Sequence, residues 1–147
     1  MMRFDLLEPA SIEEALELLA REDARVIGGG TALVVLMKNR LLSPKYLVSL
    51  RKVPGQAFVE TSGTGVRLGA YTRLRDIEHS QLVDEQVPLL GTIVRHIGNV
   101  RVRATATVGG TLCEADYQSD FSVGLVALGA RVRARSLRAE RVIPIEE

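Results

Sequence analysis

Apolar and polar positions along this chain switch between two periods, and each switch marks an element. Ile12, Ala15, Leu16, Leu18 and Leu19 recur at helical spacing, with Glu13, Glu14 and Glu17 on the opposite side. That pattern predicts an amphipathic helix from Ser11 to about Arg21, opened by a Ser11-Ile12-Glu13-Glu14 capping box. Val26 and Ile27 are β-branched and predict a buried strand, and Ala32 to Lys38 predicts two helical turns. Tyr46 to Leu50 is a second apolar strand. Strand, helix and strand in that order imply a crossover connection and a parallel sheet.

Past Lys52-Val53-Pro54-Gly55 the pattern changes. Pro-Gly stops regular structure, so residues 1–54 and 55–147 are expected to form two lobes that share an interface. Ala57 to Thr61 and Val66 to Ala70 flank Ser62-Gly63-Thr64-Gly65 and predict a hairpin. Thr72 is expected to cap a short helix through Ile77, and Pro88 to open another over Leu89 to Ile97 that Gly98 closes in the left-handed conformation. The stretch from Asn99 to Asp120 is small, polar and glycine-bearing. Phe121 to Leu128 reads as an apolar helix ended by Gly129, and Ala130 to Arg135 alternates like a half-exposed strand.

Between the first strand and its helix lies Gly28-Gly29-Gly30-Thr31. Without Cβ atoms this bend is open to positive φ and to close approach by a large anion, and Thr31 stands where a helix N-cap belongs. Two readings fit it: a tight connection in an α/β unit, or a seat for phosphate at a helix N-terminus. A second glycine pair, Gly109-Gly110, has Thr107 beside it. Were both to face one cleft, backbone N–H groups and hydroxyls would converge on a pyrophosphate without lysine or arginine. Neither is a Rossmann fingerprint, since Leu33 stands where the third glycine belongs, and neither is a P-loop.

Composition narrows the chemistry. Nineteen basic and eighteen acidic residues leave a charge of +1, and aromatic residues are 4% of the 147. No field recruits nucleic acid, and no stacking platform accompanies the arginines. The single cysteine, Cys113, excludes an internal disulfide and fits a reducing, cytoplasmic location. No apolar run is long enough to span a membrane, and His79, His96 and Cys113 lack metal-ligand spacing. With no acid, base or nucleophile cluster, no residue is assigned as catalytic, and a bound cofactor would carry the chemistry.

Phe4 with Pro9 to Ala15, Gly28-Gly29-Gly30-Thr31 running to Met37-Lys38, Ile97-Gly98-Asn99, Ala106-Thr107-Val108-Gly109-Gly110, Ala115 to Asp120, and Leu125 to Ala130 together resemble the FAD-binding domain of molybdopterin dehydrogenases. This is the medium subunit of the xanthine dehydrogenase and aerobic carbon monoxide dehydrogenase group. The resemblance implies a two-lobed α+β fold of the PCMH type, with a small N-terminal α/β lobe and a larger lobe built on a mainly antiparallel sheet. It implies FAD held by Val26, Ile27, Gly28, Gly29, Gly30, Thr31, Ala32 and Leu33 from one lobe and by Thr107, Val108, Gly109, Gly110 and Thr111 from the other. Ile97 would lie near the flavin, and Asp120 would accept a hydrogen bond from the cofactor. It further implies an iron–sulfur subunit carrying [2Fe-2S] clusters and a large molybdopterin subunit as partners, with electrons leaving FAD for NAD, a quinone or oxygen. Thr111 replaces the family's usual asparagine and Tyr117 its common proline. Family members continue beyond Arg141 to Pro144, so the second lobe is expected to be incomplete. The rival expectation is a degenerate interaction module that has lost the flavin.

Overall fold

The computed structural model describes residues 3–63 and 65–146. Its first fifty residues build a three-stranded parallel sheet in the order β1-β3-β2, from β1 (Asp5–Leu7), β2 (Ala24–Ile27) and β3 (Tyr46–Ser49). β3 is central, with Leu47, Val48 and Ser49 buried. β2 lies at an edge, so Val26 is 44% exposed rather than buried as its type suggested, and Ala24 is the buried residue of that strand.

Helix α1 (Ile12–Leu19) packs on β2 and β3 through Ala15, its glutamates turned outward. Ser11 caps it as expected, accepting from the Glu14 N–H at 3.1 Å. The Glu14 carboxylate reaches one residue further back than a capping box requires, to the Ala10 N–H at 2.8 Å. Helix α2 (Leu33–Lys38) follows the glycine triplet and buries Met37. Its N-cap is Ala32 and no side chain caps it, so the expectation for Thr31 fails: that residue is exposed beyond the helix end. Leu50 leaves β3 for a short 3₁₀ turn through Lys52.

Among the described residues, the remaining two thirds hold two separate antiparallel ribbons with six helices between them in sequence. β4 (Val59–Ser62) and β5 (Gly65–Leu68) pair with Ser62 opposite Gly65, a tighter hairpin than the four-residue turn expected. Gly63 there has φ of +59°, and its neighbour Thr64 lies outside the described residues. β6 (Arg131–Arg135) pairs with β7 (Glu140–Pro144), a strand the sequence pattern had not indicated.

The helices are α3 (Leu74–Glu78), α4 (Gln81–Gln86), α5 (Pro88–His96), α6 (Val100–Arg103), α7 (Val108–Glu114) and α8 (Asp120–Ala127). α5 packs against α3, α4 and α8. Leu74, Ile77, Val83, Leu90, Val94, Ala106, Val108, Phe121 and Leu125 form the buried cluster among them. Pro88 starts α5 and Gly98 (φ +51°) supplies the left-handed residue after it, as expected; Gly129 follows the end of α8, also with a positive φ of +60°. Thr72 is not a helix cap: it is 1% exposed, and its hydroxyl accepts from the Phe58 N–H at 2.9 Å and donates to the Phe58 carbonyl at 2.8 Å. The Asp76 carboxylate instead takes the Arg73 N–H at the start of α3, at 3.2 Å.

Candidate functional site

The two glycine segments, some eighty positions apart in the chain, meet. A Cβ on Gly28 would stand 2.5 Å from Thr107 Oγ1 and 3.8 Å from Gly110 Cα. One on Gly29 would overlap the Thr105 carbonyl and come within 2.9 Å of Ala106 Cα. These two residues are glycine because the second segment lies directly on them. Only Gly30 needs the freedom of its backbone, with φ of +72°.

The N–H groups of the two segments have different fates. Residues 28–33 follow the carboxyl end of β2, and among the described residues none of their N–H groups donates to a protein acceptor. This is an unbroken run of unbonded main-chain donors around a left-handed glycine, the kind of segment that can turn N–H groups toward an anion. The second segment has no such reserve. Gly109 and Gly110 lie within the first turn of α7 rather than in a turn of their own. The Val108 N–H donates to the Thr72 carbonyl at 2.9 Å and that of Gly109 to the Ala70 carbonyl at 2.8 Å. The Gly110 N–H donates to Thr107 Oγ1 at 3.2 Å and that of Thr111 to the Thr107 carbonyl at 2.9 Å. The expectation that N–H donors converge from both sides is therefore corrected: those of Val108 to Thr111 are already bonded within the protein, and this segment stands against the first as a packed wall.

Thr107 is 4% exposed and caps α7 with its hydroxyl, and Thr111 Oγ1 donates to the Thr107 carbonyl at 3.1 Å. Ile97 is half-buried after α5, its carbonyl accepting from the Arg103 guanidinium at 3.1 Å. That guanidinium also grips the Glu78 carboxylate at 2.8 and 3.1 Å, and the hydrogen bond from Arg103 holds the Glu78 carboxyl below its ordinary pKa. Asp120 is exposed and lines a groove of about 380 Å³ between α5 and α8, with Leu89, Thr92, Ile93, His96, Val123, Gly124 and Ala127. No residue of either glycine segment lines that groove.

Two residues that sequence reasoning passed over complete the arrangement. The Tyr71 hydroxyl donates to the Ile27 carbonyl, and Ser49 Oγ lies 3.2 Å from the same phenol oxygen. Their partners stand 44 and 22 positions away, a separation that no local pattern signals.

No lysine or arginine occurs in residues 26–33 or 105–111. Among the described residues no His, Cys, Asp or Glu cluster is placed to hold a metal ion, and no helix is long and apolar enough to cross a membrane. The site lies at the carboxyl edge of a parallel sheet, the usual place for a ligand in α/β units, and its open groups are main-chain donors. Fold and site together define the class as an α+β chain with a glycine-rich strip of the kind that suits a phosphorylated cofactor.

The comparisons with known proteins agree. Residues 2–147 match the family described as the FAD binding domain in molybdopterin dehydrogenase, and the chain belongs to that family. It is 38% identical over 146 residues to the 6-hydroxypseudooxynicotine dehydrogenase complex subunit alpha of Paenarthrobacter nicotinovorans, covering 98% of this chain and 49% of that one. With the glyceraldehyde dehydrogenase medium chain of Sulfolobus acidocaldarius the identity is 36%, over 95% of this chain and 50% of the relative. The solved carbon monoxide dehydrogenase from Hydrogenophaga pseudoflava superposes with a TM-score of 0.95 at 28% identity, over 99% of this chain and 51% of that one. Quinoline 2-oxidoreductase from Pseudomonas putida 86 gives 0.94 at 30%, over 98% and 51%. The chain thus spans about half the length of the curated relatives it matches.

Proposed function

We propose that this chain binds FAD and serves as the flavin-bearing part of a molybdenum hydroxylase-type oxidoreductase, with residues 1–54 and 55–147 as its two lobes. The observation that carries this reading is the run of unpaired N–H groups over residues 28–33, packed against the segment from Thr105 to Gly110, in a chain of the FAD-binding family. These residues fit a pyrophosphate, since a bend of small residues leaves several successive main-chain donors without a protein acceptor.

In this reading Gly28 to Leu33 donate to the phosphate oxygens, and Val26 and Ile27 fix the strand end from which the bend leaves. Thr107 and Thr111 shape the facing wall, with Val108, Gly109 and Gly110 holding it in place. Ile97 supplies apolar surface toward the flavin, and Asp120 an exposed carboxylate that accepts from the cofactor. The electron chemistry belongs to the flavin, which takes up and releases electrons. We extend the reading to an assembly with an iron–sulfur subunit and a large molybdopterin subunit, to NAD, a quinone or oxygen as acceptor, and to a cytoplasmic location. The relatives' names, which describe subunits and medium chains of dehydrogenases, support the multi-subunit assembly.

Purified chain incubated with FAD tests the proposal. Retention of a yellow chromophore through gel filtration is expected, with a melting temperature that climbs as FAD is added, because a ligand bound only by the folded state stabilises it. Colourless protein with an unmoved melting temperature at saturating FAD would leave the flavin-free interaction module as the better reading.

A further inference from the structure

We infer that Tyr71 is a positioning residue for the cradle: its hydroxyl anchors the Ile27 carbonyl and so sets the direction in which the glycine bend presents its donors. The inference rests on the flavin reading only for what those donors meet.

Tyr71 lies between β5 and α3, its N–H bonded to the Gln56 carbonyl at 2.7 Å. The carbonyls on either side, Ala70 and Thr72, accept from Gly109 and Val108 at the start of α7. The main chain of residues 70–72 is thus fastened to the second segment. The Tyr71 side chain crosses to the first, where its hydroxyl donates to the last carbonyl of β2. β2 is an edge strand paired only with β3, so no second strand steadies its end.

With the phenolic proton directed at Ile27, the Ser49 hydroxyl must donate to the phenol oxygen. Ser49 is 5% exposed and Tyr71 and Ile27 are half-buried, so the chain Ser49–Tyr71–Ile27 is partly screened from water. In a trans peptide the C=O and N–H point in opposite directions, so holding the Ile27 carbonyl toward Tyr71 fixes the Gly28 N–H away from it. One side chain therefore ties the donor-rich bend to the segment facing it.

The test compares the wild-type chain with Tyr71→Phe, which keeps the ring and removes the hydroxyl, and with the milder Ser49→Ala. Amide ¹H–¹⁵N resonances of the flavin-free protein are recorded first, then the FAD dissociation constant and the melting temperature. Tyr71→Phe is expected to move the Gly28 and Gly29 resonances more than those of Gly109 and Gly110. It should also weaken FAD binding about tenfold, the scale of one net hydrogen bond. Ser49→Ala should move the same resonances less, and it decides the matter if Tyr71→Phe does not fold. A lowered melting temperature with unmoved glycine resonances and unchanged FAD affinity would overturn the inference, leaving Tyr71 a structural tyrosine. If the wild type takes no FAD, the flavin reading fails, and the glycine resonances alone still decide whether Tyr71 orients the bend.

Discussion

The two glycine segments look alike in sequence, each a cluster of glycines beside a threonine, yet the fold uses them in opposite ways. Around Gly28 to Gly30 the backbone leaves its donors unpaired, and the threonine, Thr31, is exposed with no capping role. Around Gly109 and Gly110 the donors are bonded to residues 70, 72 and 107, and the threonine, Thr107, is buried and caps a helix. Glycine in the first segment admits the second, and glycine in the second begins a helix beside Ala70, where a Cβ on Gly109 would come within 3.0 Å of Ala70. Glycine thus admits close packing in both places, and the difference lies in the backbone donors, open along the first segment and bonded along the second.

The strongest way to break this comparison is Gly29→Val. From sequence alone such a variant would be expected to lose flavin and remain folded, but here its side chain would overlap the Thr105 carbonyl. The expected loss is about 3 kcal/mol or more of stability, since backbone on the facing segment has little room to shift. Urea unfolding measures it, and a native-like midpoint would show that the two segments do not pack this way. Thr107→Ala follows, at about 1–2 kcal/mol for a lost N-cap. Thr107→Ser should restore most of that, because the bond to the Gly110 N–H needs only the hydroxyl.

The acid response separates the regions next. Arg103 is 8% exposed and bonds both Glu78 and the Ile97 carbonyl just before the second segment begins. The Glu78 carboxyl is held below its ordinary value by that pairing, so its contribution is fully present above the unfolded-state pKa. It is lost as pH falls through the depressed folded value. Urea midpoints recorded from neutral pH down through the carboxylate range should fall less steeply in Glu78→Gln than in the wild type. The smallest effect belongs to Thr31→Ala, expected to stay within about 0.5 kcal/mol of the wild type because Thr31 is exposed and caps nothing. A loss as large as that of Thr107→Ala would return Thr31 to the capping role the structure denies it.

Much of the fold was legible where short-range chemistry decides it. Ser11, Pro88, Gly98 and Gly129 mark helix ends by mechanisms that act within one turn, and the strand, bend, helix and strand of residues 24–49 follow from two apolar runs around three glycines. Legibility failed where tertiary partners decide. The helix of Val100 to Arg103 is an exception, since it is opened by a local cap, Asn99, whose side chain accepts from the N–H groups of residues 101 and 102 at 2.9 and 3.2 Å. β1 has only three residues, and β7 ends in a proline and takes its register from β6. Thr72 has the sequence of a cap but spends its hydroxyl across the hairpin on Phe58. Within the site the glycines themselves were readable from sequence. Which of their N–H groups remain unpaired was not, because Gly109 finds its acceptor in the distant Ala70 carbonyl and Gly110 in the hydroxyl of a Thr107 that the fold has turned into a helix cap.

Hydrogen–deuterium exchange of the full chain with and without FAD reads both glycine segments at once. Amides of residues 28–33 should exchange quickly alone and become protected when FAD is added, while those of Val108, Gly109 and Gly110 should be protected beforehand and change little. Protection that arises at residues 108–110 with residues 28–33 unaltered would contradict an open first segment and a closed second one.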